Sequence, residues 1–507
     1  MNKKGEYMKI VLLPLDERPC NYLYPKELPL QKNVNIVTPS KDILSLKKDV
    51  CNIDKISDWL KKECFDADFA VISLDTLLFG GIIPSRLHQK SYEELCEKIK
   101  VLEDIKNVNK NIKIYCNELI MRCPSYSLSD EEPFYFDECG KEIFELGGII
   151  DKEEQGIIDV DSPRKLELLN IIKKEYLDDF LTRRDTNIKI LLHNLDYVNK
   201  GIIDFFVIPQ DDCSEFGFPS KDQRLVKSKI KNDNLFNNVI MYPGADEIGL
   251  TLITRAINIY NNYRPKVFVN YCSELGKNAI PMFEDRPISE TIKYHLFSTN
   301  CLEVYSLMEA DCVLNINSGS EFVPKWDTRK ELIFGKNRNL LAFIDFIKYA
   351  LNNNKIVGIA DVCYCNEADK ELMNLLKDDD LLLKIHSYAG WNTSSNTLGT
   401  TIANMITYYY SKDEINKNYS LIYRYLDDYI YMGIVRDIIN NKIVDLNNGI
   451  TRFNLKTGTK EFEKISKDLI IKEANKFGIN VDKYFKKFDV SFIWNRTFEI
   501  EFDTERI

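Results

Sequence analysis

Two adjacent carboxylates, Asp211 and Asp212, close the apolar run DFFVIPQ. Two acids crowded at one place cannot both ionise cheaply, so one keeps its proton at neutral pH while the other stays charged. That division is the working arrangement of glycoside hydrolysis, in which one acid protonates the leaving oxygen and its neighbour supports the opposite side of the reaction. Adjacent side chains on a strand point to opposite faces, so a bend must bring both into one cleft. The plain alternative is a helix cap and its neighbour. A second pair, Asp246–Glu247, lies in YPGADEIG. There Asp246 suits the N-cap of the following helix and Glu247 its first turn, favoured by the dipole. Asp16, Asp75 and Glu118 also stand at the ends of apolar runs.

Three segments read as holders of a polar ligand. SLDTLLFGGIIPSR (73–86) offers Asp75, a Gly80–Gly81 turn with free N–H groups, and Arg86. YAGWNTSSNTLGT (388–400) offers Trp391 to stack on a sugar face, with Asn392 and Asn396 as neutral donors and acceptors. Its competing reading is an N-cap box around a buried tryptophan. LPLDERPCN (13–21) places Asp16 and Arg18 at the end of the first apolar run, where an internal acid–arginine pair is the alternative.

The elements that must position these residues recur in one pattern: an apolar β-branched run, a polar cluster, then a helical stretch. The runs begin near residues 9, 33, 68, 111, 204, 238, 266, 311, 355 and 381. Near-continuous apolar runs of five to seven residues suit strands covered on both faces, as in parallel sheets built from βα units. The expected fold is α/β with mostly parallel strands, TIM-barrel-like; the alternative is two doubly wound, Rossmann-like sheets. In both, all strand carboxyl ends lie on one side, where ligands bind. The expected organisation is a 1–400 body with an insertion around 119–200. A largely helical 401–507 region follows, ending in a strand that packs back.

Composition narrows the function classes. The chain has 507 residues, 44 % hydrophobic and 29 % charged, with a formal charge of −10. An acidic chain without a basic excess is a poor partner for nucleic acid. No apolar run is long enough for a membrane helix, and the start becomes charged too soon for a signal peptide. A cytoplasmic setting is therefore expected. Thirteen cysteines without zinc-finger spacing read as reduced, buried thiols. GxSxG, HExxH, the Walker loop and a strand-linked GxGxxG are all absent, so neither a cofactor nor a metal is expected.

The strings LLPLDERPCN, SLDTLLFGGIIPSR, YPGADE, WNTSSNTLGT and WNRTFE resemble the bacterial family catalogued as domain of unknown function 4127 (DUF4127), from about Lys9 to Phe502. That resemblance implies a soluble bacterial protein and no defined activity. Separately, an apolar strand ending in Asp–Asp is similar to the catalytic strand of barrel-type N-acetylhexosaminidases. This similarity implies that Asp211 orients an acetamido group and Asp212 donates the proton.

The resulting expectation is a glycoside hydrolase acting on a small carbohydrate, with an N-acetylhexosaminide as one candidate. Asp211 and Asp212 would be catalytic. Asp16, Arg18, Asp75, Arg86, Glu118, Asp246, Glu247, Trp391, Asn392 and Asn396 would bind substrate. The alternatives are a Mg²⁺- or Mn²⁺-dependent hydrolase of a phosphoryl substrate, with the same acids as oxygen ligands, and a non-catalytic sugar-binding protein. The sequence does not specify an oligomeric state.

Overall fold

A computed structural model describes residues 7–160, 162–211, 213–319, 337–446 and 449–507. The chain divides into two compact units. The first comprises Met1–Glu17, Asn33–Leu252 and Phe283–Asp285; the second comprises Arg18–Lys32, Ile253–Met282 and Arg286–Ile507. Residues 401–507 thus belong with 286–400, and the boundary expected at 400 does not coincide with this division.

The first unit is built on six parallel strands, β1 (Met8–Leu13), β2 (Val34–Val37), β3 (Phe69–Ser73), β4 (Lys113–Asn117), β5 (Phe205–Gln210) and β6 (Val239–Pro243). They lie in the order β2-β1-β3-β4-β5-β6. β3, β5 and β6 are buried along their whole length, which is why their sequences read as unbroken apolar runs. Helices fill the connections. Ile53–Glu63 begins at Asn52, whose side chain accepts from the Lys55 N–H, and buries Ile53, Ile56 and Leu60 on one stripe. Tyr92–Ile99 starts with a capping box formed by Ser91 and Glu94. The insertion is helical: Phe136–Glu154, Pro163–Ile171 and Lys174–Asn199. Phe136, Ile143, Leu146, Leu168, Phe180 and Phe218 form its own apolar cluster.

The second unit repeats the architecture with β7 (Lys266–Tyr271), β8 (Leu302–Val304), β9 (Cys312–Asn317), β10 (Ile356–Asp361) and β11 (Ser387–Ala389), ordered β11-β10-β9-β7-β8. Helix Ser394–Ser411 lays Leu398, Ile402, Met405 and Ile406 into the same core as Val267, Leu314 and Ile316. Gly358 of β10 lets it approach, since a Cβ there would stand 3.0 Å from the Met405 sulfur. The chain ends in an antiparallel hairpin of β12 (Phe485–Phe492) and β13 (Ile500–Arg506).

Parallel strands in serial βα units are therefore present, as two open sheets. No barrel closes among the described residues: β2 and β6 edge one sheet, β8 and β11 the other. The three-residue β8 was not anticipated, because so short a strand carries no periodicity. The run 381–392 contributes only Ser387–Ala389 to β11. Among the described residues no helix is long and apolar enough to cross a membrane. All thirteen cysteines are free thiols, and only Cys96 and Cys365 are not fully buried.

Candidate active site

In each sheet the strand order reverses beside the first strand, between β1 and β3 in one and between β7 and β9 in the other. Such a switch point leaves a crevice outside the strand carboxyl ends, because the flanking connections leave in opposite directions. In the first unit the chain after β3 turns immediately into a wide π-helical turn, Asp75–Phe79, followed by Gly80 and Gly81. Both glycines have positive φ, +100° and +137°. A Cβ on Gly80 would meet Val50 at 2.4 Å, and one on Gly81 would meet Ser45 Oγ at 2.7 Å. Close approach of the 45–51 segment therefore requires the Gly–Gly step. Thr76 Oγ1 donates to the carbonyls of Pro14 or Leu15, 2.7 and 2.8 Å away, and ties this turn to the end of β1.

Asp75 is 2 % exposed. Its Oδ2 accepts from the Leu119 N–H at 3.0 Å. Burial raises its carboxyl to about 7, against these backbone bonds and the pull of Arg86, with the nearby Asp211 adding to the rise. Arg86 is the hub of the cluster. Its Nη2 donates to Asp211 Oδ2 at 2.8 Å, and its Nη1 to Glu131 Oε2 at 3.0 Å and Glu132 Oε1 at 3.4 Å. Arg122 shares both glutamates, with Nε to Glu132 Oε1 at 2.8 Å and Nη2 to Glu131 Oε2 at 2.9 Å. Behind Asp75, Glu118 accepts from Asn194 Nδ2 at 2.7 Å. Its carboxyl is pushed well above the ordinary range by burial and then by the charge of Asp75. Two buried acids, Asp75 and Glu118, thus stand in protonatable form near an acid that is ion-paired, Asp211.

Beside this cluster a cleft of about 400 Å³ is lined by Leu46, Lys47, Lys48, Asp49, Ser129 and Asp130. Glu17 supports one wall, its carboxylate accepting from Ser45 Oγ and the Lys47 N–H, both at 2.9 Å.

The remaining expected residues are placed as follows. Asp212 lies outside the described residues. Asp16 is buried in the turn after β1, and Asp246 in the turn after β6. Glu247 folds back over Gly244, where a Cβ would stand 2.2 Å from its Oε1, and accepts from the Ala245 N–H at 3.0 Å. Burial raises it to about 8. Arg18 belongs to the second unit, paired with Glu499 at 2.9 Å and lying over the Trp494 ring at 4.8 Å.

Trp391, expected as a sugar platform, is a core side chain of the second unit. It is 4 % exposed and meets Tyr24 edge-on at 5.5 Å, and its indole N–H donates to Thr400 Oγ1 at 3.1 Å. The capping alternative describes this segment: Thr393 is the N-cap and accepts from the Asn396 N–H. Asn392 takes a left-handed φ of +52° and accepts from the Asn366 N–H at 2.9 Å. The structure therefore gathers Asp75, Arg86, Glu118 and Asp211, and sets Arg18, Trp391, Asn392 and Asn396 in another unit.

Sequence reasoning did not single out Glu131, Glu132, Arg122 or Asn194, which come from an irregular segment and a distant helix. It also passed over a second acidic cluster. Asp361 ends β10 and obeys the same strand-end rule that selected Asp75. It is fully buried and accepts from Asn317 Nδ2 at 2.9 Å, the Asp369 N–H at 2.7 Å and the Tyr388 hydroxyl at 2.8 Å. Asp369 pairs with Arg338, and Asp428 with Arg424. Burial raises both Asp361 and Asp428, with the charge of Asp369 adding to the first, and those of Asp427 and Asp361 adding to the second against the pull of Arg424.

Among the described residues no group of three or more His, Cys, Asp or Glu is arranged to hold a metal ion. A family model described as "Protein of unknown function (DUF4127)" matches residues 10–503. No curated protein matches the chain.

Proposed function

The chain belongs to the DUF4127 family, whose description names no activity, and on the chemistry of its first sheet we propose that it is a glycoside hydrolase working by carboxyl acid–base catalysis. The observation that carries this reading is a pair of acids in opposite roles around one guanidinium. Asp75 is held protonatable at about 7, and Asp211 is ion-paired to Arg86. In this reading Asp75 donates the proton to the leaving oxygen, and Asp211 is the negatively charged partner, oriented by Arg86. Asp212, expected from the sequence as the donor, competes with Asp75 for that role, and both are tested together. Thirteen free thiols fit a reducing compartment such as the cytoplasm.

The test is a panel of aryl glycosides, N-acetylhexosaminides included, assayed with and without EDTA on wild type, D75N, D211N and D212N. The expected result is turnover that survives chelation and falls 10²- to 10⁴-fold in the variant lacking the donor. Activity carried by a protonated Asp75 declines above about pH 7, because the donor is then spent. Full activity in both D75N and D212N would overturn the assignment. Turnover abolished by EDTA and restored by Mg²⁺ on a phosphoester would replace it with the metal-dependent alternative.

A further inference from the structure

The proposed acid is buried, and so is the arginine that organises the site: Asp75 is 2 % exposed and Arg86 is 3 % exposed. A substrate cannot reach the Asp75 carboxyl unless a segment over it moves. Two segments bear on this. The first, residues 45–51, lies directly on the Gly80–Gly81 step. The Cys51 N–H donates to the Gly80 carbonyl at 3.2 Å, and Leu46 and Val50 remain 62 % and 56 % exposed. The second, residues 121–135, runs without helix or strand from β4 to Phe136–Glu154 and carries Glu131 and Glu132 onto Arg86. Long irregular connections in compact domains are uncommon and most often serve binding or closure.

The two segments meet across the 400 Å³ cleft, and the bonds that cross it come from two adjacent lysines. Lys47 pairs with Asp130. Lys48 donates to the Ser129 carbonyl at 2.6 Å and the Glu132 carbonyl at 3.2 Å. The far side of the second segment is anchored elsewhere. The Ser129 N–H and hydroxyl donate to Asp137, and the segment crosses over Gly140, where a Cβ would stand 2.7 Å from the Tyr126 carbonyl. The bonds described across the cleft are thus one partly buried ion pair and two lysine-to-carbonyl bonds, whereas each segment has its own footing.

We propose that residues 45–51 and 121–135 form a gate over the Asp75–Arg86 site, latched by Lys47 and Lys48, and that the cleft between them is the substrate's way in. The purpose of the gate rests on the hydrolase reading; its existence does not. Opening breaks the Lys47 and Lys48 contacts and, where the second segment leaves Arg86, its bonds to Glu131 and Glu132, while the strands beneath keep their ladders, so the gate opens more readily than the sheet unfolds.

The test is hydrogen exchange on the full chain, for wild type and K47A/K48A, at low and at 1 M salt. The expected result is at least tenfold faster exchange in 45–50 and 121–133 of the double variant, with β1 and β3–β6 unchanged. Salt should produce a smaller change of the same kind in wild type, since it screens the partly buried Lys47–Asp130 pair. Wild type in salt also decides the matter if the variant does not fold. Exchange in the two segments that is insensitive to both substitution and salt, or that rises only together with the whole sheet, would overturn the gate. Silence of wild type on every glycoside would count against the hydrolase reading and leave the exchange result standing.

Discussion

The two sheets share a strand order and a habit of ending strands in buried acids, yet the acids are treated differently. In the second unit Asp361 is saturated, with three donors on its two oxygens. Asp369 and Asp428 each have an arginine. Such a cluster locks three strand ends together and leaves little capacity for a ligand. In the first unit Asp75 is held by backbone N–H groups, that of Leu119 and its own, and its arginine is committed to other acids. Burial pushes Asp75 and Asp361 alike up to about 7, so the two differ not in protonation but in how many donors hold each carboxyl. The same strand-end position therefore serves as structural cement in one sheet and as a candidate proton donor in the other.

Exchanging each acid for its amide separates the two roles most directly. D75N should lower turnover 10²- to 10⁴-fold on a confirmed substrate and leave the fold intact. D361N should leave kcat within a few-fold and lower stability by about 1–3 kcal/mol, because the amide mismatches three inward donors. Equal effects of the two on kcat would erase the distinction.

Arg86 comes next. R86A leaves Asp211, Glu131 and Glu132 without their shared cation, and loss of one partner from a buried ionic cluster costs about 3–5 kcal/mol. Chemical denaturation checks this, and R86K should recover part of it.

The pH dependence of stability is a smaller effect with a definite sign. Asp75 takes up a proton in the folded chain up to about pH 7, whereas an unfolded aspartate loses it near 4. Its contribution is therefore full below pH 4 and is lost as pH rises to 7. D75N should flatten that part of the melting profile, by a few kcal/mol at most.

The smallest expected effect is W391F. Loss of the indole bond to Thr400 should cost about 1 kcal/mol of stability without altering KM. A large rise in KM would return Trp391 to the substrate.

Much of the fold was legible because buried parallel strands need apolar faces on both sides and so print continuous runs such as KIVLL and DFAVIS. Closure into a barrel or division into two sheets was not legible. The same runs serve both, and the choice depends on which strands pair across long connections. Of the site, Asp75, Arg86, Glu118 and Asp211 were found by one rule: acids and their partners after apolar runs. The rule could not weigh them against Asp361, whose neighbours come from residues 317, 369 and 388. Nor could it see Arg122, Glu131 and Glu132, whose segment has no period.

By itself, then, the sequence determined the local chemistry. It marked the strand ends, the Gly80–Gly81 step that only glycine can make at those φ values, the cap at Thr393, and the family to which the chain belongs. The tertiary structure decided which charges meet. That Arg86 serves Asp211, Glu131 and Glu132, that Arg18 turns instead to Glu499, and that Trp391 is core all follow from contacts between residues 9 to 481 positions apart. A carboxyl's protonation is set by burial and neighbours rather than by its own identity, so the role of Asp75 exists only once the chain has folded around it.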